Sequence, residues 1–223
     1  MTHETLGREQ IWALIEDAGI IPAIRVPSAA DALFGAAAVY RGGIRIVELT
    51  MTVPGAIDVI SELKRTHPDL VVGAGTVLTV DAAQACLSAG AEFLTSPGLD
   101  LEIVEFAVRR NVVIIPGVLT PTEVMLARKA GADLVKVFPC AQVGGPGYIR
   151  ALKAPFPDVR MIASGGVNQQ TAGDFIRAGA FALGIREELI PADAVQGRDQ
   201  DWIRELTHRF LAIVKRARSA MIT

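Results

Sequence analysis

The sequence has no large excess of either charge and few cysteines. Its 223 residues carry 22 basic and 24 acidic side chains, and the formal net charge is −2. This balance produces no strong field toward nucleic acid or an anionic membrane, so neither is expected as a partner. The two cysteines, Cys86 and Cys140, are far apart and form no CxxC motif, which argues against a disulfide framework.

Long apolar runs are also missing. No uncharged apolar stretch approaches the roughly 20 residues that a membrane helix requires, and the first residues lack the basic and apolar segments of a secretory signal. We therefore expect a cytoplasmic protein with two reduced thiols. No group of His, Cys, Asp and Glu has the spacing of a metal site, and His3, His67 and His208 are expected to be solvated.

Aromatic residues make up only 5% of the chain, although 51% of it is apolar. The apolar content is therefore mainly Ala, Val, Ile and Leu, which fill parallel sheets and the helices that cover them. Eight short apolar runs alternate with longer helical patterns, which predicts parallel strands buried on both faces. The predicted strands are Gly19–Arg25, Ile44–Glu48, Leu70–Ala74, Glu92–Thr95, Val112–Ile115, Leu134–Phe138, Arg160–Ala163 and Ala180–Gly184.

The segments between the strands carry helix signals. Ser28, Thr79 and Asn168 stand before helical runs as candidate N-caps, and recurring Ala-Gly pairs mark three helix ends. The pairs are Ala89-Gly90, Ala130-Gly131 and Ala178-Gly179. No Pro/Gly/Ser-rich linker or block of charge divides the chain, so residues 1–223 are predicted to form one domain.

Eight strands with seven connecting helices predict a closed (β/α)8 TIM barrel with an extra N-terminal helix. The extra helix is expected within residues 1–18, the barrel core within 19–191 and a C-terminal helix within 199–218. An open doubly wound sheet is the alternative fold. The barrel is favoured because the eight units are similar and the first strand–helix turn lacks a GxGxxG motif.

Lys136 interrupts the apolar run Leu134-Val135-Lys136-Val137-Phe138. In a barrel, functional residues lie at the carboxyl ends of the strands. Desolvation there favours the neutral amine, which is the form that attacks a carbonyl. The alternative is a lysine with a buried stem whose ammonium group reaches water or a carboxylate.

Two further charged residues close predicted strands. Glu48 ends the second strand, where it could move protons during imine formation or form a structural ion pair with Lys136. Arg25 ends the first strand and could hold a substrate carboxylate through two hydrogen bonds. A surface arginine without a ligand is the alternative for Arg25.

Glycine-rich segments follow two other strands. Gly73-Ala74-Gly75-Thr76 would let a ligand approach the backbone and offers one hydroxyl. Ser164-Gly165-Gly166 is a candidate anion site, because its backbone N–H groups would lie near the start of a helix. Tight turns without a ligand are the alternative for both segments.

Six short segments carry a resemblance to a known family. They are Glu48-Leu49-Thr50, Gly73-Ala74-Gly75-Thr76-Val77, Ser96-Pro97-Gly98, Ile115-Pro116-Gly117, Lys136-Val137-Phe138-Pro139 and Ser164-Gly165-Gly166-Val167. In order and spacing they resemble the bacterial 2-keto-3-deoxy-6-phosphogluconate (KDPG) and 4-hydroxy-2-oxoglutarate (KHG) aldolases. The resemblance runs from about Gly19 to Pro191 and implies a class I aldolase that needs no metal or cofactor and is usually a homotrimer.

The resemblance also implies roles for individual residues. Lys136 would be the Schiff-base lysine and Glu48 the general acid/base. Thr76 and Pro97 would line the pyruvate pocket, and Phe138 would pack beside the imine.

The remaining correspondences concern the two ends of the substrate. Arg25 matches an arginine that holds a substrate carboxylate, and Gly165 and Gly166 match backbone contacts to a distal phosphate. Members that bind phosphate usually have a Gly-Ser pair after the eighth strand, where this chain has Arg186-Glu187. A glutamate repels a phosphate dianion unless it turns away. We therefore expect a weakened preference for phosphorylated substrates, with Arg186 as a candidate ligand for phosphate or carboxylate.

The predicted reaction is cleavage of a 2-keto-3-deoxy (4-hydroxy) acid, such as KDPG or KHG, into pyruvate and an aldehyde. Two other functions stay open. A barrel isomerase or synthase would bind a sugar phosphate at Ser164-Gly165-Gly166 and use Lys136 as an electrostatic contact. A barrel that has lost activity would serve as a binding or assembly subunit, an option that Arg186-Glu187 leaves open.

Overall fold

The structure, a computed structural model, describes residues 7–221. Within this range nine parallel strands form one sheet, and ten α-helices and one short 3-10 helix (Ala141–Val143) accompany it. The strands are β1 (Ile20–Ile24), β2 (Ile46–Thr50), β3 (Val71–Gly75), β4 (Phe93–Thr95), β5 (Val113–Ile115), β6 (Gly117–Val118), β7 (Leu134–Val137), β8 (Arg160–Ser164) and β9 (Ala182–Ile185). The helices are α1 (Arg8–Ala18), α2 (Ala29–Arg41), α3 (Ala56–Thr66), α4 (Val80–Ser88), α5 (Leu101–Arg109), α6 (Pro121–Lys129), α7 (Pro146–Lys153), α8 (Ala172–Arg177), α9 (Ala192–Gln196) and α10 (Gln200–Ser219).

The two ends of the sheet meet at a single proline. The strand order is β5-β4-β3-β2-β1-β9-β8-β7-β6, and only Pro116 separates β5 from β6, since its missing N–H interrupts the strand ladder. The Pro116 carbonyl still accepts a 2.8 Å hydrogen bond from the Lys136 amide on β7. The strands therefore close into a barrel with eight strand positions, one of them broken in two. This confirms the predicted (β/α)8 barrel with an extra N-terminal helix.

Seven helices connect successive strand positions, and most of their ends lie where the sequence predicts them. Ser28 and Thr79 cap α2 and α4, since each side-chain oxygen accepts a hydrogen bond from the amide three residues later. Helices α4, α6 and α8 end at the three Ala-Gly pairs. Asn168 was predicted to be the N-cap of α8, but this helix begins after Thr171, which takes the N-cap position. The Asn168 side chain instead accepts hydrogen bonds from two amides of the turn that precedes α8.

The terminal helices pack against the barrel. Helix α1 buries Ile11 and Ile15 and contacts β1 and β9, and α10 packs against α2 and α8. The first six residues of the predicted N-terminal segment, including His3, lie outside the described residues. His208 is exposed, as expected, but His67 is half-buried, because its ring packs edge-on against Tyr40 at 5.1 Å.

The two cysteines are buried, free thiols. Burial raises the pKa of Cys86 to about 11 and that of Cys140 to about 12, so both are protonated near neutral pH. Across residues 7–221, no helix is long and apolar enough to cross a membrane. In the same range, no cluster of three or more His, Cys, Asp and Glu could hold a metal ion.

Glu48 lies inside β2 and not at its end. The prediction for this residue was wrong because the strand continues through Leu49 and Thr50, which pair with Ala74 and Gly75 of β3. Glu48 therefore lies deeper in the barrel than a residue at the strand end. The parallel register pairs Glu48 with Ala23 of β1 and Gly73 of β3, which are distant in the sequence.

Candidate active site

One pocket at the carboxyl ends of the strands, which we call the mouth pocket, contains all ten residues predicted for the site. These are Arg25, Glu48, Thr76, Pro97, Lys136, Phe138, Ser164, Gly165, Gly166 and Arg186. The seven other lining residues are Ala23, Thr50, Val167, Asn168, Gly184, Glu187 and Glu188. Ala23 and Thr50 lie two positions from Arg25 and Glu48, so strand alternation could have identified both.

Lys136 and Glu48 meet at the base of the mouth pocket. Lys136 Nζ lies 3.4 Å from Glu48 Oε2 and 3.5 Å from Glu48 Oε1. The two side chains are only 12% and 5% exposed. The two interpretations of Glu48 are thus compatible, because an ion pair at this distance also provides a route for a proton between carboxylate and amine.

Gly75 leaves the space that Glu48 occupies. A Cβ atom at position 75 would lie 2.1 Å from Glu48 Oε1, far inside van der Waals contact. Because Gly75 ends β3 beside β2, any larger residue would push the carboxylate from its place next to Lys136. The absence of a side chain at Gly75 therefore allows the Glu48 carboxylate to lie next to Lys136.

Arg25 and Thr76 form a polar group at the rim. Arg25 Nη2 donates a 3.0 Å hydrogen bond to Thr76 Oγ1. Thr76 has a φ of 59°, a left-handed conformation that β-branched residues rarely adopt. The turn thus places a hydroxyl and a guanidinium side by side, an arrangement suited to a carboxylate.

Phe138 and Pro97 supply apolar surface near the lysine. The Phe138 ring centroid lies 5.7 Å from Lys136 Nζ. Pro97 packs closely against β6, since a Cβ atom at Gly117 would lie 2.2 Å from the Pro97 carbonyl group. These groups limit the access of water to the amine.

The segment Ser164-Gly165-Gly166 follows β8 and turns toward the mouth pocket. Gly165 and Gly166 have φ values of 86° and 82°, and a Cβ atom at Gly166 would lie 2.3 Å from Ala141 Cβ. Two amides near the start of α8 already donate to Asn168 Oδ1. The anion site expected here is therefore limited to the backbone at the glycines and to the Ser164 hydroxyl.

Arg186 and Glu187 form an ion pair that faces the mouth pocket. Arg186 Nε and Nη2 both donate to the Glu187 carboxylate, and the Nη2–Oε1 distance is 3.2 Å. Hydrogen bonding from Arg186, with a smaller effect of the Arg25 charge, holds the pKa of Glu187 below its ordinary value. Glu187 is therefore ionised at neutral pH. It is one of the residues that line the mouth pocket, and its side chain is 65% exposed.

A shielded amine beside a carboxylate at the mouth of a (β/α)8 barrel defines this protein as a barrel enzyme with a candidate nucleophilic lysine. Comparison with known proteins gives the family. The model of the KDPG and KHG aldolase family matches residues 11–206. The chain belongs to this family, and its class is that of the carbon–carbon lyases.

Individual relatives agree with this assignment. The chain is 31% identical over 204 residues to the 2-dehydro-3-deoxy-phosphogluconate aldolase of Treponema pallidum. This match covers 92% of this chain and 97% of the relative. It is 36% identical over 167 residues to the same enzyme of Pseudomonas aeruginosa, with 75% and 76% covered. A solved structure of KDPG aldolase from Legionella pneumophila, with pyruvate captured at low pH as a covalent carbinolamine intermediate, matches with a TM-score of 0.83. Its identity is 31%, and the match covers 88% of this chain and 96% of that one.

Proposed function

We propose that this chain is a class I aldolase that forms a Schiff base through Lys136 and cleaves a 2-keto-4-hydroxy acid into pyruvate and an aldehyde. The observation that carries this proposal is the Lys136 amine, shielded at the base of the mouth pocket and 3.4 Å from the Glu48 carboxylate. The pyruvate carbinolamine of the Legionella relative supports it.

Glu48 has a proton-transfer role in imine formation. Its carboxylate takes a proton from the Lys136 ammonium group, and the neutral amine attacks the C2 ketone of the substrate. Glu48 then donates that proton to the hydroxyl of the carbinolamine, and water leaves. The product is a protonated imine whose positive charge lies next to C3.

The protonated imine acts as an electron sink for cleavage. Glu48 removes the proton of the C4 hydroxyl, the C3–C4 bonding electrons form the C2–C3 double bond of an enamine, and the aldehyde leaves. The enamine takes up a proton at C3, and water hydrolyses the resulting imine to release pyruvate and free Lys136. The reverse sequence adds pyruvate to an aldehyde.

The other lining residues divide between the two ends of the substrate. Arg25 and Thr76 bind the carboxylate beside the ketone, and Pro97 and Phe138 pack against the carbon chain and the imine. The residues near the distal end of the substrate are Ser164, Gly165, Gly166 and Arg186.

A panel of 2-keto-3-deoxy acids, with and without phosphate, tests this function through pyruvate release. We expect release from at least one substrate class without added metal. A native, folded chain that releases pyruvate from none of them would contradict the proposal. Interconversion of a sugar phosphate without pyruvate release would favour the isomerase or synthase.

The charges around the distal end weaken the case for a phosphorylated substrate. Arg186 is opposed there by Glu187 and Glu188, and all three residues line the mouth pocket. The guanidinium of Arg186 is also already paired with Glu187. A phosphate dianion would therefore have to compete with a carboxylate for its cation. An unphosphorylated acid such as 4-hydroxy-2-oxoglutarate fits this charge distribution better.

The double substitution Arg186→Gly/Glu187→Ser should raise the ratio of kcat/KM for KDPG over its unphosphorylated analogue. The reason is that it removes a like charge and adds a small hydroxyl beside the glycine backbone. The ratio is measured in both chains with the same assay. A native chain that already prefers the phosphorylated acid by several orders of magnitude, together with a lower preference in the variant, would assign phosphate binding to Arg186 instead.

The proposed assembly is a homotrimer, as the family resemblance implies, and the proposed location is the cytoplasm. One side of the barrel exposes apolar side chains on neighbouring helices and on the loop after β3. They are Leu78 (61% exposed), Met125 (61%), Leu126 (41%), Leu101 (40%) and Ile57 (36%). Helices α3 to α6 contact one another in sequence order, and exposed apolar side chains on neighbouring helices are typical of subunit contacts.

Light scattering should give three times the monomer mass of 23.7 kDa. Leu78→Asp combined with Met125→Glu should shift the mass toward that of the monomer, because each places a charge in the apolar contact. Trp202→Glu is the matched control, since Trp202 is exposed on α10, which packs against α2 and α8. A native monomer at micromolar concentration, or dissociation by Trp202→Glu alone, would refute this assembly.

A further inference from the structure

A second cavity, which we call the side recess, lies behind the Arg186–Glu187 ion pair. Four residues line both the side recess and the mouth pocket: Ala23, Arg25, Arg186 and Glu187. The other walls of the side recess come from the residues after β1, from α2 and from the region of α9. The apolar ones are Val26, Pro27, Ile190, Ala192 and Val195. None of these five has a role in the chemistry at Lys136.

The side recess offers no uncompensated charge of its own. Ile190 and Val195 are 5% and 2% exposed and form its firm apolar wall. Its additional acid, Asp31, is paired with Arg198 at 2.9 Å and accepts a 2.7 Å hydrogen bond from the Ser28 hydroxyl. An anion or a cation would gain little here, whereas an apolar group would leave water for a buried surface.

The charged residues that the side recess shares with the mouth pocket are engaged as well. Arg186 and Glu187 form an ion pair, and Arg25 donates a 3.0 Å hydrogen bond to Thr76 Oγ1. The side recess has a volume of about 100 Å³. A dry cavity of about 150 Å³ takes benzene, with its six carbons, so this one holds about four carbons.

We propose that the side recess binds an uncharged apolar substituent of the aldehyde half. The substrate class then includes 2-keto-4-hydroxy acids that carry an alkyl chain of about four carbons beyond C4. The keto acid end stays at Lys136, and the chain passes between Arg25 and the Arg186–Glu187 pair. This inference rests on the proposed aldolase function and names the aldehyde that the function leaves open.

The addition of pyruvate to a series of aldehydes tests it directly. From acetaldehyde through propanal and butanal to pentanal, kcat/KM should rise about fourfold per methylene, equivalent to about 0.8 kcal/mol for each buried CH₂. The increase should level off once the chain exceeds the depth of the recess. A series in which kcat/KM does not depend on chain length would overturn the inference.

Ala192→Phe should fill the side recess, and exposed Ala192 can accept a larger side chain without disturbing the core. We expect this variant to lose the chain-length gain and to add acetaldehyde at a rate close to that of the native chain, because Ala192 does not line the mouth pocket. Ala192→Ser, which changes the volume little, is the matched control and should keep the gain. Equal losses for acetaldehyde and pentanal in Ala192→Phe would also count against the side recess.

Borohydride trapping of pyruvate separates this inference from the function on which it rests. Every variant at position 192 should still trap pyruvate, because Lys136 and Glu48 are unchanged. A native chain that traps no pyruvate would refute the aldolase function itself. Trapping with no dependence on chain length would refute only the side recess.

Discussion

Lys136→Ala should abolish pyruvate release, with a loss of more than about 10³-fold in kcat, as for the removal of other catalytic nucleophiles. Without the amine no imine forms, and the C3–C4 bond has no electron sink. Lys136→Arg should fail as well, because a guanidinium keeps the positive charge and forms no imine. The measurement is pyruvate release at saturating substrate, with thermal unfolding to show that both variants are folded.

The chain offers a matched control for this lysine. Lys64 is also largely buried and forms an ion pair with a buried glutamate, Glu92, at 2.7 Å. Glu92 lies just before β4, at the opposite end of the barrel from the mouth pocket. Lys64→Arg should therefore keep pyruvate release near the native level. Substantial turnover in either Lys136 variant would refute the Schiff-base mechanism.

Glu48→Gln should lower kcat by about 10²- to 10⁴-fold, the usual contribution of general acid–base catalysis. The amide keeps the size of the carboxylate but cannot exchange a proton with Lys136 or with the C4 hydroxyl. Pyruvate binding should change much less, because Arg25 and Thr76, the proposed ligands of the substrate carboxylate, are unchanged. Steady-state kcat and the dissociation constant for pyruvate are the two quantities to compare.

Two other variants test whether kcat depends on the location of the Glu48 carboxylate as well as on its ability to transfer a proton. Gly75→Ala should reproduce much of the loss, since the added Cβ atom would lie 2.1 Å from Glu48 Oε1 in the native arrangement. Glu92→Gln, which alters the glutamate of the other buried pair, should leave kcat near normal. Near-normal kcat in Glu48→Gln would reassign Glu48 to a structural ion pair.

Much of the candidate site can be predicted from patterns in the amino-acid sequence. Side chains alternate along strands and parallel strands end at one edge, so Arg25, Thr76, Lys136 and Ser164 could be placed together from their positions alone. Lys136 was recognisable because a charged residue inside an apolar strand is costly without a function or a partner. These inferences need the order of the strands but not their details.

The remaining features depend on three-dimensional packing. The depth of Glu48 follows from how far β2 and β3 pair, and pairing length has no sharp sequence signal. The left-handed turn at Thr76 brings its hydroxyl into a hydrogen bond with Arg25, 51 positions away. The pairing of Arg186 with Glu187 and the side recess behind them depend on loop conformation, which residue types alone leave open.

Borohydride reduction in the presence of pyruvate tests the central claim most directly. Only an imine is reduced to a permanent adduct, so the native chain should gain the mass of one reduced pyruvate per subunit. Peptide mass spectrometry should place that adduct on Lys136, and Lys136→Arg should give none. An unmodified native chain, or an adduct on a lysine other than Lys136, would contradict the account.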